Sequence, residues 1–315
     1  DRIITAKAIK ARFLGADATF KSLEEILEYH KTTMVDVLKP GTLKNYGATE
    51  KYLSDYLFCE HRIKDIYLKN IDYQFVTSFD KFLRRKKGKN GKKQLSNNGI
   101  MKHMERFKKL TNLAIKLGWL DKDPFRDYKM KFEKFDRAYL SQRELDYIEE
   151  TRFRRVTLET TKDIFVFSCY TGMCYGELKN LTRDNLIKGV NGKDWIYSRR
   201  EKSNEPIKVP LLEKARSILY KYEKPTSEFL LPVYSNQKTN TYLKEIAEQC
   251  KIPKKLSFHV ARHTFATTVT LSNGVPIETV SKLLGHTKLS TTQIYARVVD
   301  QKLGDDMDQL QSKLS

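Results

Sequence analysis

The amino-acid sequence predicts a mainly α-helical protein with one small antiparallel β-sheet. Apolar residues recur at helical spacing along most of the chain, which is typical of amphipathic helices. The stretch from Trp195 to Val209 differs, because two short runs of aromatic and β-branched residues flank the turn Ser203-Asn204-Glu205-Pro206 and predict two paired strands. A length of 315 residues suffices for two domains of ordinary size.

The first domain is predicted as a helical bundle over residues 21–123, after a short lead over residues 1–20. Its first helix begins after Ser22 and is broken at Pro40-Gly41, and Thr42 then has the residue type of an N-cap for the second helix. The chain begins without a methionine, so the lead is compatible with the remnant of a missing N-terminal arm-binding region. The two remaining helices are predicted from about Asp72 to Leu83 and from about Ser96 to Leu117.

The chain is strongly basic. It has 59 Lys and Arg residues against 39 Asp and Glu residues, which gives a formal net charge of +20 and a pI near 9.6. Such an excess indicates a polyanionic partner, with nucleic acid as the first candidate and a merely solvated basic surface as the alternative.

No apolar run is long enough to span a membrane, and no secretory signal is visible. Four cysteines without metal or disulfide spacing predict the reduced thiols of a cytosolic protein.

Basic residues gather in three places that suit contact with a DNA backbone. Arg84 begins a basic run that continues to Lys93, and a solvated mobile loop is as compatible with this run as phosphate contact. On the fourth helix, apolar positions from Ile100 to Ala114 point inward, which leaves basic positions on the polar side for DNA. Residues 124–139 alternate basic with aromatic residues and predict an extended interdomain linker along DNA, with a plain solvated linker as the alternative. The candidate DNA-binding residues are Arg84, Arg85, Lys86, Lys87, Lys102, Arg106, Lys109, Lys129, Lys131 and Lys134.

The second domain is predicted over residues 140–299. Ser141 and Glu144 form a capping-box pattern, which indicates the start of a helix. The apolar run from Thr161 to Tyr170 predicts a buried helix, and the two strands follow it. Helices resume after the strands, and a tail over residues 300–315 ends the chain.

A row of histidine, arginine and tyrosine residues occupies the last third of the chain. Its three motifs are His259-Val260-Ala261-Arg262, Leu283-Leu284-Gly285-His286 and Gln293-Ile294-Tyr295-Ala296-Arg297. Ser290 and Gln293 form a second capping-box pattern, so Tyr295 is predicted on the first turns of a short helix. The set suits the attack of a tyrosine hydroxyl on a DNA phosphodiester, because that reaction needs a nucleophile that loses its proton and cationic donors around the phosphate.

Each residue of the row has a chemical role in such a reaction. Arg262 offers a planar fork to two phosphate oxygens, and His259 on the same helical face can donate to the phosphate or relay a proton. His286 follows Gly285 at a tight turn and can contact the other oxygen. A metal between His259 and His263 is disfavoured, because Arg262 repels cations and the glutamate of zinc-protease motifs is absent. We therefore expect no metal, and His263 is predicted to pack or to support the site from behind.

The order of these motifs, the Leu-Leu-Gly-His spelling and the nine-residue step from His286 to Tyr295 resemble the tyrosine recombinases, also called lambda-integrase-type recombinases. The stretch from Phe258 to Glu278 most closely resembles integrases of conjugative and mobilisable transposons of Bacteroides-type bacteria. The resemblance implies a helical core-binding (SAM-like) domain joined to a tyrosine-recombinase catalytic domain. It also implies Lys202 as the general acid on the leaving oxygen, for which a solvated hairpin lysine is the alternative. The implied catalytic residues are Tyr295, Arg262, His259, His286 and Lys202.

One position departs from the family pattern. Cys174 stands where the family has its first catalytic arginine, and a neutral thiol cannot bind phosphate as a guanidinium does. The loss of one such donor costs roughly 3–4 kcal/mol of transition-state stabilisation. Arg200 is the predicted catalytic replacement, because it lies two residues before Lys202 on a strand and would share its face, whereas Arg199 would point away. Glu177, one helical turn after Cys174, is predicted to orient the site from behind.

The expected function is that of a site-specific DNA recombinase, an integrase of a mobile genetic element. It would cut and rejoin DNA through a 3′-phosphotyrosyl intermediate and a Holliday junction, with no cofactor. Expected partners are double-stranded DNA attachment sites, three further copies of the chain on that DNA, and accessory DNA-bending or directionality proteins. The free protein is expected to be a monomer in the bacterial cytoplasm, associated with the nucleoid, and residues 300–315 are expected to pack on a neighbouring copy. The alternatives are a DNA invertase, a type IB topoisomerase, and a catalytically weak DNA-binding regulator, which Cys174 favours.

Overall fold

The computed structural model describes residues 20–88, 91, 93–134, 137–190, 192–201, 203–224 and 226–296, together with scattered residues of the tail. Residues 1–19 of the predicted lead over residues 1–20, the predicted general acid Lys202 and most of the predicted tail over residues 300–315 therefore lie outside the described residues. The chain divides into two compact units, Asp1–Phe135 and Asp136–Ser315.

Over the part of the first unit that the structure describes, four α-helices form the frame. Serine and aspartate side chains cap three of them: Ser22 forms a capping box with Glu25, Asp72 accepts from the amide of Phe75, and Ser96 accepts from the amide of Gly99. The predictions for the first, third and fourth helices are thereby confirmed. The four helices are α1 (Leu23–Met34), α2 (Pro40–Tyr56), α3 (Tyr73–Arg85) and α4 (Asn97–Lys116).

The start of α2 differs from the prediction. Pro40 is its first helical residue, Lys39 is the N-cap, and Thr42 lies inside the first turn. Proline is well suited to this position, because the first turn leaves its amide groups unpaired in any case and the ring already fixes a helical φ. The prediction that Pro40-Gly41 precedes the helix and that Thr42 caps it was wrong.

The first part of the predicted linker belongs to the core of the first unit. The Phe125 side chain is 0% exposed, and its ring meets that of Phe107 edge-on with centroids 5.3 Å apart. Asn97 donates to the carbonyl of Lys131 at 2.8 Å, and the Asn98 side chain exchanges two hydrogen bonds with the backbone of Glu133. The segment predicted as an extended linker along DNA is therefore held against the first unit at Phe125, Lys131 and Glu133, because burying the Phe125 ring removes apolar area from water.

The second unit is built around one buried helix. This helix, α6, buries most of its side chains, and α8, α9 and α10 pack against it. The predicted capping box between Ser141 and Glu144 is present at the start of α5. The helices are α5 (Gln142–Glu150), α6 (Val156–Thr171), α7 (Tyr175–Lys179), α8 (Glu213–Tyr222), α9 (Asn236–Gln249), α10 (Phe258–Thr264), α11 (Ile277–Leu283) and α12 (Gln293–Ala296).

A three-stranded antiparallel sheet in the order β1-β2-β3 lies between α7 and α8 in the chain. Its strands are β1 (Leu186–Lys188), β2 (Asp194–Arg199) and β3 (Pro206–Pro210). Strands β2 and β3 confirm the two predicted strands, with Tyr197 opposite Lys208 in the register. The sequence did not reveal β1, which is only three residues long and too short for a periodic pattern.

The region that carries the tyrosine is more irregular than predicted. A π-helical stretch, Phe265–Thr270, continues α10, and a 3₁₀ turn, Leu289–Thr291, precedes α12. Ser290 lies inside that turn, so the predicted capping box was wrong, although the short helix with Tyr295 is present. Within the described ranges, we find no helix with both the length and the apolar composition that a membrane crossing requires.

Candidate active site

One pocket of about 710 Å³ in the second unit collects most of the predicted site residues. They reach it from separate parts of the chain: the end of β2, the start of α7, helix α10, the turn after α11, and α12. The pocket is lined by Cys174, Glu177, Arg200, His259, Arg262, His286 and Tyr295.

Backbone carbonyl groups hold the Arg262 guanidinium in place. Arg262 is only 6% exposed, and it donates to the carbonyl oxygens of Gly172 at 3.0 Å and Leu284 at 2.6 Å. Gly172 is in the left-handed region with φ 66°, and a Cβ there would come within 2.5 Å of the Phe265 ring. Glycine is therefore required at this turn, which brings a carbonyl group to the arginine.

His286 is held as a neutral ring. Its Nε2 atom lies 3.0 Å from a terminal nitrogen of Arg262, and its Nδ1 atom lies 2.8 Å from the Thr292 hydroxyl. Because arginine can only donate, Nε2 accepts and the ring hydrogen is assigned to Nδ1, which donates to Thr292. Burial, aided by the charge of Arg262, lowers the pKa of His286 to about 4, which agrees with a neutral ring at physiological pH.

The Tyr295 phenol lies inside the pocket wall. Its side chain is 5% exposed, and its hydroxyl oxygen lies 3.1 Å from Nδ1 of His263. Burial raises the pKa of Tyr295, while the charges of Arg262 and Arg137 act in the opposite direction. His263 was predicted to pack or to support the site, and the structure brings it into direct contact with the tyrosine hydroxyl.

His259 occupies the first turn of α10 at the rim of the pocket. Its side chain is exposed, and its ring lies edge-on to that of His263 with centroids 4.4 Å apart. No group of His, Cys, Asp and Glu side chains suitable for a metal ion occurs among the residues that the structure describes.

Arg200 lies in the same pocket as Cys174. It is 5% exposed, forms an ion pair with Glu177 and donates to the Leu283 carbonyl at 3.2 Å. Glu177 also accepts from the backbone amide of Cys174 at 2.7 Å, so one carboxylate links Cys174 to Arg200. Burial and the nearby Arg262 lower the pKa of Arg200 to about 10, so the guanidinium stays charged at neutral pH.

The two neighbouring arginines have opposite environments. Arg199 is exposed and donates to the Asn204 carbonyl at 3.1 Å, whereas Arg200 is buried. The backbone of Arg200 begins the turn, since its amide donates to Glu205 and its carbonyl accepts from Asn204, each at 2.8 Å. These different environments agree with the prediction that the side chains of Arg199 and Arg200 point to opposite faces, although β2 itself ends at Arg199.

Arg137 is a pocket residue that the sequence did not single out. It was one of several alternating cations in the predicted linker, and no local pattern distinguishes it from Lys131 or Lys134. In the structure its side chain lines the pocket, and its charge lowers the pKa of His263, His286 and Tyr295.

The candidate DNA-binding residues of the first unit are mostly exposed. Arg84 and Arg85 lie in the last turn of α3 rather than in a loop, where their charges favour the carbonyl end of the helix. Arg84 pairs with Asp80 at 2.9 Å, and half-buried Lys86 pairs with Asp55. Arg106 is also half-buried. The exposed members are Arg84, Arg85, Lys87, Lys102, Lys109, Lys129, Lys131 and Lys134.

Comparison with known proteins finds tyrosine recombinases among the relatives of this chain. The chain is 25% identical over 297 residues to the tyrosine recombinase XerC of Oceanobacillus iheyensis, which covers 88% of this chain and 94% of the relative. It is 38% identical over 151 residues to a tyrosine recombinase of Thermosipho africanus, which covers 45% of this chain and 50% of the relative.

Solved structures have a similar fold. A lambda integrase dimer bound to a COC' core site matches with a TM-score of 0.69 and 16% identity over 92% of this chain and 81% of that chain. The Tn1549 transposon integrase in complex with a circular intermediate DNA matches with a TM-score of 0.65 and 15% identity over 90% of this chain and 99% of that chain. A lambda integrase tetramer bound to a Holliday junction matches with a TM-score of 0.63 and 15% identity over 90% of this chain and 82% of that chain.

Two family descriptions together cover nearly all of the described chain. Residues 22–142 match the phage integrase SAM-like domain, and residues 140–302, more than half of the chain, match the phage integrase family. The chain therefore belongs to the phage integrase family, the family of the tyrosine-type site-specific recombinases.

Proposed function

We propose that this protein is a site-specific DNA recombinase that integrates a mobile genetic element, with Tyr295 as its nucleophile. The observation that carries the proposal is the position of the Tyr295 hydroxyl, which lies in one pocket with two buried arginines, Arg200 and Arg262. A phosphodiester is the substrate that this combination suits, because guanidinium groups bind phosphate oxygens and a phenol can form a phosphate ester.

The proposed reaction exchanges one phosphate ester for another. The Tyr295 oxygen attacks the phosphorus, the bond to the 5′-oxygen breaks, and a 3′-phosphotyrosyl link and a 5′-hydroxyl result. Arg262 and Arg200 offset the charge that builds on the nonbridging oxygens, with His259 and His286 as further contacts. Lys202, by the family resemblance, donates the proton to the leaving 5′-oxygen. Because the link conserves the ester energy, rejoining needs neither ATP nor another cofactor.

The partners proposed for this chain follow from the solved structures of similar fold. Those proteins are bound to a core site, to a circular intermediate DNA and to a Holliday junction. For this chain we propose double-stranded attachment sites, four copies assembled on two duplexes, a monomeric free protein and accessory DNA-bending or directionality proteins. Resemblance over Phe258 to Glu278 supports an element of the Bacteroides-type conjugative or mobilisable class, and therefore a bacterial cytoplasm and its nucleoid as the location.

The test uses an attachment-site duplex from the chain's own element, nicked close to the cleavage point. Cleavage then releases a short oligonucleotide that diffuses away, so that the covalent complex accumulates. We expect a protein–DNA adduct that survives denaturation, and peptide mapping should place the DNA on Tyr295. An absence of adduct together with specific binding would support the second candidate, a DNA-binding regulator, which Cys174 in the arginine position favours.

DNA affinity should depend steeply on salt. The net charge of +20 and the exposed cations of the first unit predict many phosphate contacts, each of which releases counterions. The plot of log affinity against log salt should have a slope of about −0.9 for every phosphate neutralised. Fluorescence anisotropy between low and physiological salt measures this slope. Lys102→Ala and Lys109→Ala should each make it shallower by about one unit, and a flat dependence would contradict contact with the DNA backbone.

A further inference from the structure

His263 is the histidine that the structure brings to the reacting atom. Its Nδ1 atom lies 3.1 Å from the Tyr295 hydroxyl oxygen, and the His263 side chain is 5% exposed. The chain positions the two residues independently, since His263 is on α10 and Tyr295 is on α12.

The surrounding contacts indicate the direction of this hydrogen bond. Among the hydrogen bonds described, the partner of the Tyr295 hydroxyl is Nδ1 of His263. The hydrogen of this buried hydroxyl therefore has Nδ1 of His263 as its acceptor, because buried polar hydrogens are rarely left without one. The opposite arrangement, with the hydrogen on Nδ1, would require a further acceptor for the buried phenol.

His286, the pocket histidine whose ring is stacked on that of Tyr295, is already engaged at both nitrogens. His286 accepts from Arg262 at Nε2 and donates to Thr292 at Nδ1. It cannot take up the phenol proton without giving up the bond to Arg262. His263, by contrast, has an accepting nitrogen at the phenol itself.

We infer that His263 is the general base of strand cleavage, which takes the Tyr295 proton at Nδ1 as the phenol oxygen attacks the phosphorus. This inference rests on the proposed function. The step is balanced: the O–H bond of Tyr295 and the bond from phosphorus to the 5′-oxygen break, while an N–H bond on His263 and the bond from phosphorus to Tyr295 form. The leaving 5′-oxygen takes its proton from a separate acid, the role that the family resemblance gives to Lys202.

Bound DNA should make His263 a better base. The charged and titratable groups that face its ring are His259 and Arg262 on its own helix, Arg137 before α5, and Tyr295 on α12. Burial, together with the charges of His259, Arg137 and Arg262, lowers the pKa of His263 to about 3 in the free protein, so the ring is neutral at physiological pH. A phosphodiester in the pocket offsets the positive charge of the arginines, which raises the pKa of the ring toward that of a useful base. Proton transfer would then be favoured only when DNA is present.

Two substitutions separate a base from a mere hydrogen-bond partner. His263→Asn keeps an accepting oxygen near the position of Nδ1 but cannot take up a proton. His263→Phe keeps a ring of similar size but can neither accept a hydrogen bond nor take up a proton. The measurement is the single-turnover rate of adduct formation on the nicked duplex from pH 6 to 10. His30→Asn is the matched control, since His30 is also a buried histidine packed against a tyrosine, Tyr46, but lies in the first unit.

We expect both His263 variants to cleave roughly 10²-fold more slowly than wild type near pH 7, with unchanged DNA affinity. The deficit should shrink as the pH rises, because solvent hydroxide then removes the phenol proton directly. Added imidazole should restore part of the rate in His263→Ala, where the space of the ring is open. His30→Asn should follow the wild-type profile throughout.

Three results would overturn the inference. Near-wild-type cleavage by His263→Asn would show that the phenol needs only an acceptor, and a deficit that stays constant across the pH range and resists imidazole would show a structural role. In either case wild-type adduct formation leaves the proposed function intact. A wild-type protein that forms no adduct at all would remove the proposed function, and the base with it.

Discussion

Tyr295→Phe should form no covalent adduct with a nicked attachment site while it still binds that DNA. The phenol oxygen makes the new bond to phosphorus, and phenylalanine has no atom that can replace it. Binding should change little, because the hydroxyl contributes at most about the 1 kcal/mol of a single hydrogen bond, and that bond is to His263 within the protein. Denaturing gels report the adduct and fluorescence anisotropy reports the affinity.

The chain offers a matched control for this experiment. Tyr175 is a second phenol that lines the same pocket, and its hydroxyl donates to the Tyr234 carbonyl at 2.8 Å. Tyr175→Phe should therefore retain adduct formation. Covalent product from Tyr295→Phe at the wild-type level, or its loss in Tyr175→Phe alone, would identify a different nucleophile.

Arg200→Ala should reduce the rate of cleavage by about 10² to 10³, the usual loss for one charged donor at a transition state. Arg200 is a buried cation beside Arg262, in the pocket where Cys174 supplies no positive charge. Single-turnover cleavage on the nicked duplex measures the effect. Arg199→Ala is the matched control, since its side chain is exposed and donates only to the nearby Asn204 carbonyl among the contacts described.

Folding must be separated from catalysis at this position. Loss of Arg200 alone leaves the Glu177 carboxylate buried without its cation, which is destabilising by roughly 3–5 kcal/mol. The pair Arg200→Met with Glu177→Gln removes both charges together and should be more stable than Arg200→Ala, yet it should cleave as poorly. Rapid cleavage by this folded double variant would show that Arg200 only neutralises Glu177.

The cysteine gives a complementary prediction. Cys174→Ala should be mild, because the thiol carries no positive charge at neutral pH and the hydrogen bond that it accepts from the Glu177 amide at the start of α7 is a weak one. Cys174→Arg should partly restore cleavage to the Arg200 variants by returning a guanidinium to the family's position. A severe defect in Cys174→Ala would instead assign the thiol a direct part in the reaction.

Local patterns in the sequence predicted helix starts and strands correctly where the interactions that form them are also local. Ser22, Asp72, Ser96 and Ser141 begin helices as predicted, because a cap depends on a side chain and an amide only three residues apart. The two strands around the turn at Asn204 were also predictable from residue type. The predicted helix starts were wrong near Pro40 and Ser290, where the first turn begins at a different residue than expected. At both places, neighbouring residues are nearly equal candidates for the N-cap.

By itself, the sequence determined the mainly helical fold with its small sheet, the family, and the residue types of the pocket, since these follow from periodicity, motif order and spacing. Only the tertiary structure decided which side chains meet. Phe125, which the sequence predicted in the linker, packs in the core of the first unit. The free energy gained by burying its aromatic ring exceeds the entropic cost of ordering the chain there. Arg137 lies in the pocket, and Nδ1 of His263 lies within hydrogen-bonding distance of the Tyr295 hydroxyl. The pocket brings together residues up to 158 positions apart, from Arg137 to Tyr295, and their proximity is set by the packing of whole helices, which no local pattern in the sequence contains.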